Sequence, residues 1–294
     1  MTQLQQVVFE LEMDYAGHPY YVSGNAILHA IAQRVDYQTQ QQIRVSHGFF
    51  APGQFGKYPS WHSNKGTRPY MGSSLPDVDS YADLFLCRDP SQQWLLDTRA
   101  RDALNTHDVK LQADSRPVLG RKTVVATPEQ GHKGHTTTWY IHAYIHATDD
   151  SVLPLSDATL DGLQFGGARN YGYGETQLND TQVVDLDALD YSALTDADSD
   201  EYLLKLVTPY VLESDHPHAD NNTPPVWWEC DTDRLRRRTE VIMDQNEAFD
   251  LTTVDHGQVV GHDGQRLIET AKNGLTRIGS HAKYGFGEYR LIAK

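Results

Sequence analysis

Two segments of the sequence repeat the same glycine pattern, and this pattern constrains the fold more than any other feature of the chain. The first segment runs from Gly166 to Glu175 and reads GGARNYGYGE, and the second runs from Gly279 to Glu288 and reads GSHAKYGFGE. Each contains basic and aromatic residues and ends in Gly-aromatic-Gly-Glu before a strand-like run. Because glycine permits positive φ and close approach of the backbone, both segments are predicted to be tight loops that lead into strands.

The two loops carry groups that are suited to binding nucleic acid. Successive backbone N–H groups in such loops can form a concavity that holds an anion. An adjacent Arg or Lys can pair with a phosphate, and a Tyr or Phe can stack on a base. Contact with RNA is therefore the interpretation that we favour. Tight turns that only connect a helix to a strand are the alternative.

The rest of the sequence predicts an α+β protein dominated by its sheet. Residues Gln6–Asp14 and Trp139–Ala147 alternate like strands. Ser23 opens a run with apolar residues at helical spacing, so the chain begins with strand, turn and helix. Further strands are predicted over Tyr202–Leu212, and Asp83–Arg88 is predicted to be the first strand of a hairpin.

The C-terminal part of the chain is also rich in strands. Alternating residues predict strands near Leu235–Met243 and Phe249–Val260. Residues 180–226 combine an Asp-rich stretch with a run of Asp, His, Asn and Pro, so the division of the chain is placed within them. We therefore predict an N-terminal half with long insertions, residues 1–200, and a C-terminal half, residues 201–294.

The charge balance limits how such a chain can bind RNA. Of 40 acidic residues 29 are Asp, of 25 basic residues 16 are Arg, and the net charge is −15. This usage resembles that of proteins from salt-loving archaea. An acidic protein repels phosphate in dilute buffer, but in molar salt the Debye length falls to about 3 Å. Binding would then depend on stacking, backbone donors and a few Arg side chains.

The two glycine segments resemble the glycine-rich loop of the repeat-associated (RAMP) superfamily of CRISPR effector proteins. In that family a Gly-Gly-x-x-x-x-Gly-aromatic-Gly pattern precedes the last strand of a ferredoxin-like, RNA-recognition-type fold. Residues Tyr21–Ala30 are similar to the strand-to-helix segment of the family. Residues Val254–Val260 are similar to the approach to its C-terminal loop. The resemblance thus involves both ends and the middle of the chain.

The resemblance implies two ferredoxin-like halves with antiparallel sheets and a glycine-rich loop in each. It also implies that the protein binds guide (CRISPR) RNA without a cofactor or metal, inside a cytoplasmic, multi-protein effector complex of antiviral defence. Neighbouring subunits would dock on residues 43–72 and 234–238. The residues that it places against RNA are Gly166, Gly167, Arg169, Tyr171 and Tyr173 in the first loop and Arg277, His281, Lys283, Tyr284 and Phe286 in the second.

Two other functions stay open. Processing enzymes of the same superfamily cleave repeat RNA without metal, using His as general acid and base, and His29 and His47 are the positional candidates for such an endoribonuclease. The chain contains 14 histidines, so a His close to a helix carries little weight. The third possibility is a structural or assembly protein of a halophile or its virus, in which the glycine loops are only turns.

One basic cluster and one strand face have two interpretations each. Residues Arg234–Arg238 either pair with neighbouring acidic side chains or contact RNA or another subunit. One face of the Trp139–Ala147 strand is either a base-stacking surface or a sheet face that the second half covers. The side chains on that face are Tyr140, His142, Tyr144 and His146.

Cysteine content and hydropathy concern the location of the protein. Cys87 and Cys230 lie far apart in unlike contexts, so a reduced cytoplasmic protein is favoured over a disulfide-linked one. No stretch approaches roughly eighteen consecutive apolar residues, the length that a membrane span requires. The N-terminus lacks the basic and apolar regions of a signal peptide. No membrane association is therefore expected.

Overall fold

The apolar alternation of the sequence is realised as antiparallel sheets with a few short helices, and the computed structural model is an α+β protein. The structure describes residues 2–18, 21–53, 58–64, 73–88, 106–111, 114–119, 122–126, 134–197, 201–214, 228–229, 234–244, 247–276 and 280–294. Among these residues, no helix is long and apolar enough to cross a membrane.

The first sheet contains seven strands in the described part of the chain. They are β1 (Gln3–Leu11), β3 (Tyr21–Val22), β4 (Ile43–Val45), β5 (Gly48–Pro52), β8 (Lys122–Ala126), β9 (Gly134–Ala147) and β10 (Thr176–Asp185). Their order is β10-β1-β9-β5-β3, and β4 and β8 also pair with β9. All of these pairings are antiparallel. β1 lies between β10 and β9 and is buried on both faces, so its alternation does not separate an inner from an outer face.

Two crossovers define the connections of this sheet. After β1 the chain passes through helix α1 (Gly24–Ala32) and helix α2 (Tyr37–Gln42) to β4 and β5, which lie beyond β9. After β9 it passes through helix α3 (Asp157–Leu160) to β10, on the opposite side of β1. α1 begins after the cap Ser23, whose side chain accepts a hydrogen bond from the Ala26 N–H at 3.2 Å.

The second sheet is formed by residues from the C-terminal part of the chain. Its strands are β11 (Tyr202–Leu206), β13 (Trp228–Glu229), β16 (Val259–His262) and β17 (Tyr289–Ala293). Their order is β13-β16-β11-β17, again antiparallel throughout. Helix α4 (Ser192–Thr195) precedes β11, and helix α5 (Leu267–Thr276) connects β16 to β17.

Two smaller sheets complete the described fold. The third sheet has the order β12-β15-β14 and is formed by β12 (Tyr210–Ser214), β14 (Arg237–Asp244) and β15 (Glu247–Val254). The fourth has the order β2-β7-β6 and is formed by β2 (Tyr15–Ala16), β6 (Thr106–Leu111) and β7 (Asp114–Leu119).

The two large sheets share their hydrophobic interior. One cluster of buried residues contains Leu4 and Tyr144 of the first sheet together with Leu204 and Leu291 of the second. Another cluster joins the first sheet to residues of the third sheet, among them Ile242. The strands of the first sheet lie within residues 3–185, and those of the second and third lie within 202–293. The division into halves 1–200 and 201–294 stays a prediction.

Several sequence-based predictions can be compared with these elements. The predicted α+β class is confirmed, and Trp139–Ala147 forms the C-terminal part of β9. The strand predicted over Asp83–Arg88 is wrong, because a 3₁₀ helix over Tyr81–Phe85 occupies this part of the chain. The strand predicted over Tyr202–Leu212 is two strands, β11 and β12, which belong to different sheets. Helix α5 was not predicted.

Candidate nucleic-acid interface

The first glycine segment is held by the backbone that follows β1. It connects α3 to β10 and contains a short 3₁₀ helix, Arg169–Tyr171. The Gly167 N–H donates to the Ala16 carbonyl oxygen and the Gly174 N–H donates to the Asp14 carbonyl oxygen, both at 2.8 Å. Gly166 has φ +81°, and a Cβ there would come within 2.5 Å of the Ala16 oxygen. Only glycine fits this approach, which fixes the position of the loop.

The tip of this loop faces solvent. Arg169 and Tyr171 are exposed, Tyr171 by 60%, and Tyr173 is half-buried. Ala168 has φ +58° and is followed by the right-handed 3₁₀ turn, so the N–H groups of residues 168–170 form a nest-like concavity. Among the described residues these three N–H groups make no backbone hydrogen bond. The tip therefore combines backbone donors, a guanidinium group and an exposed aromatic ring.

The second glycine segment ends with the same local backbone as the first. A 3₁₀ helix over Ser280–Tyr284 is followed by a Gly-aromatic-Gly-Glu run and then by β17. The two glycines of this run have φ of +93° and +83°, and those of the first segment have +83° and +74°. Each segment thus passes from a 3₁₀ helix through two glycines with positive φ into a strand. The corresponding glycines are Gly172 and Gly174 in the first segment and Gly285 and Gly287 in the second.

The aromatic side chains of the second segment are buried, in contrast to those of the first. Tyr284 is 1% exposed and Phe286 is 6% exposed. The ring of Phe286 packs edge-on against His47, with centroids 5.2 Å apart. His281 is buried as well, while the Lys283 ammonium lies 4.7 Å from the centroid of the Tyr284 ring. Contact of Tyr284 and Phe286 with RNA stays a prediction, and the proposal below does not depend on them.

A buried ion pair fixes the end of the second segment. The Arg88 Nε donates to Glu288 Oε1 at 2.8 Å and its Nη2 donates to Oε2 at 2.5 Å, with both side chains fully buried. Arg88 also donates to the carbonyl oxygens of His142 and His47 at 3.0 and 3.1 Å. Burial alone would lower the pKa of Arg88, but the Glu288 carboxylate raises it above its usual value. The sequence signal for this pair was the Glu that ends both glycine segments.

The two histidines that are candidates for catalysis have different surroundings. His47 is 1% exposed, and its Nδ1 accepts the Gly24 N–H at 3.1 Å. Its ring is stacked on Tyr21 with centroids 4.5 Å apart. His47 therefore packs between α1 and the second glycine segment. His29 is half-buried in the last turn of α1.

A cluster of ionisable side chains that the sequence analysis missed lies between the first sheet and the β14–β15 hairpin. The Tyr21 hydroxyl donates to Glu240 Oε1 at 3.2 Å, and Arg238 Nη2 donates to His18 Nε2 at 3.0 Å. The His18 ring is stacked on Tyr21 with centroids 4.0 Å apart. His256 lies edge-on to Tyr21 at 6.4 Å. These residues come from distant parts of the chain, so no local pattern indicates the cluster.

Burial and neighbouring charges set the protonation of this cluster. Burial, with the Arg238 guanidinium and His256, lowers the pKa of His18 to about 4. Burial also lowers the pKa of His256, although the adjacent Asp255 carboxylate opposes this shift. Burial raises the pKa of Glu240. Both histidines are consequently neutral at pH 7.

The strand face with two interpretations is largely covered. His142, Tyr144 and His146 are at most 8% exposed, while Tyr140 is half-buried. The Arg88 guanidinium carbon lies 4.2 Å from the centroid of the Tyr144 ring. In the described part of the structure, a base has no access to His142, Tyr144 or His146.

The basic cluster at residues 234–238 is partly neutralised. Arg236 pairs with Asp255 at 3.1 Å and Arg238 pairs with Glu240 at 2.9 Å. Arg237 is exposed on β14. Arg277, predicted to contact RNA, and Cys230 lie outside the described residues, and Cys87 is buried.

Neither metal-ligand geometry among the described residues nor similarity to known proteins identifies a family for this chain. Within the described ranges, no group of three or more His, Cys, Asp or Glu side chains is arranged to hold a metal ion. A scan against protein-family models found no match for this chain, and a search of curated proteins also found none.

Proposed function

We propose that this protein binds guide RNA as a subunit of a multi-protein CRISPR effector complex. The observation that carries the proposal is the repeated succession of helix, 3₁₀ helix, Gly-aromatic-Gly-Glu and strand in both parts of the chain. In both, the strand that follows pairs with the first strand of its sheet, β10 with β1 and β17 with β11. Such a repeat favours two related halves with one loop each over two unrelated turns.

The strand order of the first sheet supports a ferredoxin-like N-terminal half. A ferredoxin-like unit has the succession βαββαβ, and its two crossovers interleave the strands. If β1, β5, β9 and β10 are its four strands, the order β10-β1-β9-β5 places the fourth strand beside the first and the third beside the second. α1 and α3 then occupy the places of the two crossover helices.

The second sheet supports a related C-terminal half. With β11, β13, β16 and β17 as the four strands, the order β13-β16-β11-β17 is equivalent to that of the first sheet. α5 occupies the place of the second crossover helix. The first crossover differs: the element after β11 is not a helix but β12, which pairs with β15 of the third sheet. This departure places the hairpin against the N-terminal half.

The first loop offers the more accessible contact with RNA. Its exposed tip can place a phosphate against the N–H groups of residues 168–170 and the Arg169 side chain, while Tyr171 stacks on a base. Tyr173 and the backbone of Gly166 and Gly167 surround this tip. The second loop would contribute its half-buried Lys283. Hydrogen bonding and stacking of this kind do not require the net positive charge that the chain lacks.

The RNA that copurifies with the protein tests the proposal directly. A tagged full-length chain would be purified from a salt-loving host in molar potassium chloride, and the bound RNA would be sequenced. We expect short RNAs that share one defined repeat-derived end, together with other protein subunits. A preparation without RNA and without partners would contradict the proposal and would favour a structural protein whose glycine loops are only turns.

Matched substitutions test the first loop. Tyr171→Ala should weaken binding of fluorescein-labelled single-stranded RNA by about 5- to 150-fold, the range that corresponds to loss of one base–aromatic stack. Tyr37→Ala removes another exposed tyrosine, 72% exposed on α2, and should leave affinity unchanged. Arg169→Ala should weaken binding and reduce the salt dependence by about one ion. An equal loss in Tyr37→Ala and Tyr171→Ala would contradict a specific site at the loop.

Metal-independent cleavage of RNA is a second candidate, and the cluster around Tyr21 favours it. His18 and His256 lie in one cluster with the Arg238 guanidinium, so that imidazole groups and a positive charge that could hold a phosphate are close together. Cleavage of repeat RNA in excess EDTA that is lost in His18→Ala or His256→Ala would support this candidate. If cleavage is lost instead in His29→Ala or His47→Ala, the acid–base group lies elsewhere. The absence of cleavage by the wild-type protein would dismiss it.

A further inference from the structure

The outer edge of β14 is a long, regular strand edge without a strand beside it in the described part of the chain. β14 is the last strand of the order β12-β15-β14, and its eight residues pair with β15 without a bulge. Monomeric proteins usually protect such an edge with Pro, Lys, a bulge or a covering element. β14 contains neither Pro nor Lys, its four charged residues include both signs (Arg237, Arg238, Glu240 and Asp244), and Val241 on it is 60% exposed. The edge is thus able to accept another strand.

The contacts of Asn25 identify which backbone groups face outward. Its side-chain amide donates to the Met243 carbonyl oxygen at 3.0 Å, and its amide oxygen accepts the Met243 N–H at 3.5 Å. The Arg236 carbonyl oxygen points the other way, to the Asp255 N–H at 2.9 Å. Because the two backbone groups of a residue point to the same side and alternate along a strand, those of Arg237, Thr239 and Val241 face the open edge. Asn25 closes the edge at Met243.

We propose that a second copy of this chain pairs with this edge, β14 against β14 in antiparallel orientation about a two-fold axis at Thr239. In this register Thr239 lies opposite Thr239 of the second copy, and Arg237 lies opposite Val241. These positions exchange backbone hydrogen bonds, because their N–H and C=O groups face outward. The two three-stranded sheets then form one continuous sheet. The contact is isologous, as a two-fold axis requires.

The side chains select this register. It places Arg238 of each copy opposite Glu240 of the other, on the face that carries the ion pair between these residues within one chain. A shift of the register in one direction places Glu240 opposite Glu240 and Arg237 opposite Met243, whose backbone groups Asn25 occupies. A shift in the other direction places Arg238 opposite Arg238. Like charges directly opposite each other destabilise a strand pair, so only one register is complementary.

The outer face of the paired strands supports the same arrangement. The aliphatic part of the exposed Arg237 side chain would cover Val241 of the second copy and remove apolar surface from water. An interface of one strand pair is small, and we expect a dissociation constant in the micromolar range, about 1–100 μM. The inference does not depend on the proposed function.

Sedimentation equilibrium of the full chain in molar potassium chloride tests the dimer, and Thr239→Pro tests the edge. Proline removes an N–H that faces outward, so the ladder with β15 keeps its hydrogen bonds. We expect dimerisation to weaken at least tenfold. Thr239→Val retains the N–H and should dimerise within about threefold of wild type.

A charge exchange provides a second test that does not require proline to be tolerated. Arg238→Glu and Glu240→Arg should each weaken the dimer, and the double variant should restore it, because opposite charges again face each other. A wild-type chain that stays monomeric at about 200 μM would overturn the proposal. So would a dimer that neither Thr239→Pro nor the single charge reversals affect. Binding of a different protein to this edge, with the chain itself monomeric, would also overturn it.

Discussion

Arg88 is charged in a place from which water is excluded. Its guanidinium lies between the rings of Phe49 and Tyr144, 4.8 and 4.2 Å from their centroids, and Glu288 neutralises it. Taking two charges out of water is costly, and their attraction and hydrogen bonds offset this cost only while both are present. The pair also joins the turn after the 3₁₀ helix at Tyr81–Phe85 to the end of the second glycine segment. The Arg88–Glu288 pair therefore holds that segment in place.

Removal of one partner of this pair should be strongly destabilising. Glu288→Gln leaves the buried guanidinium without a countercharge, and we expect the free energy of unfolding to fall by about 3–5 kcal/mol. Urea denaturation in molar salt measures this change. Glu201→Gln is the matched control, because Glu201 pairs with Lys294 at 2.6 Å on the surface and should contribute little. Equal effects of the two substitutions would contradict the role assigned to Glu288.

Two glycines with similar φ values allow the cost of a left-handed backbone to be distinguished from the cost of a steric clash. Gly172 has φ +83° and open space around it, whereas a Cβ on Gly285, at φ +93°, would collide with the His47 ring. Gly172→Ala should cost about 1–2 kcal/mol, the cost of the left-handed conformation alone. Gly285→Ala should cost clearly more, because His47 is held by Gly24 and cannot move away. Urea denaturation of both variants checks the order, and a smaller loss for Gly285→Ala would contradict it.

Elements with a strong period could be predicted from the sequence, and elements decided by tertiary contacts could not. α1 was predicted because Ser23 and the apolar spacing both indicate a helix. α5 was missed because it contains Gly274, which has low helix propensity but packs against the Tyr289 backbone, where a Cβ does not fit. The glycine segments of the candidate site were found from their pattern. The His18–His256 cluster was not, since only the folded chain brings it together.

The β14–β15 hairpin should bind less firmly to the first sheet as pH falls. The folded-state pKa of His18, about 4, lies below its ordinary value of 6.5, so the folded state binds fewer protons than the unfolded chain between these values. Stability is then greatest above pH 6.5 and decreases toward pH 4. His256, also with a lowered pKa, acts in the same direction, while the raised pKa of Glu240 opposes it.

This dependence can be measured as the free energy of unfolding between pH 7 and pH 5. We expect His18 to account for a loss of about 2 kcal/mol over this range. His18→Phe keeps a ring stacked on Tyr21 but cannot take up a proton, so it should lose less stability on acidification than wild type. A steeper or unchanged loss in His18→Phe would show that another group, such as His256, determines the pH dependence.

At the scale of the whole molecule, the shared interior decides whether the two halves are independent. The cluster that contains Leu4 and Tyr144 also contains Leu204 and Leu291, and Arg88 pairs with Glu288 across the predicted boundary between the halves. If the chain were cut between the halves, apolar surface and one buried charge would be exposed on each side. The proposed repeat in topology therefore does not imply two separable folding units.

We accordingly expect one cooperative unfolding transition for the full chain. Scanning calorimetry should give equal calorimetric and van't Hoff enthalpies, because neither half retains a complete core without the other. A fragment of residues 1–200 should lack fixed tertiary structure, since Arg88 loses Glu288 and the faces around Leu4 and Tyr144 lose their cover. Near-ultraviolet circular dichroism reports this through Trp139, which is 1% exposed in the intact chain. Two resolved transitions, or a fragment with the aromatic signal of the intact protein, would instead establish that the two halves are autonomous domains.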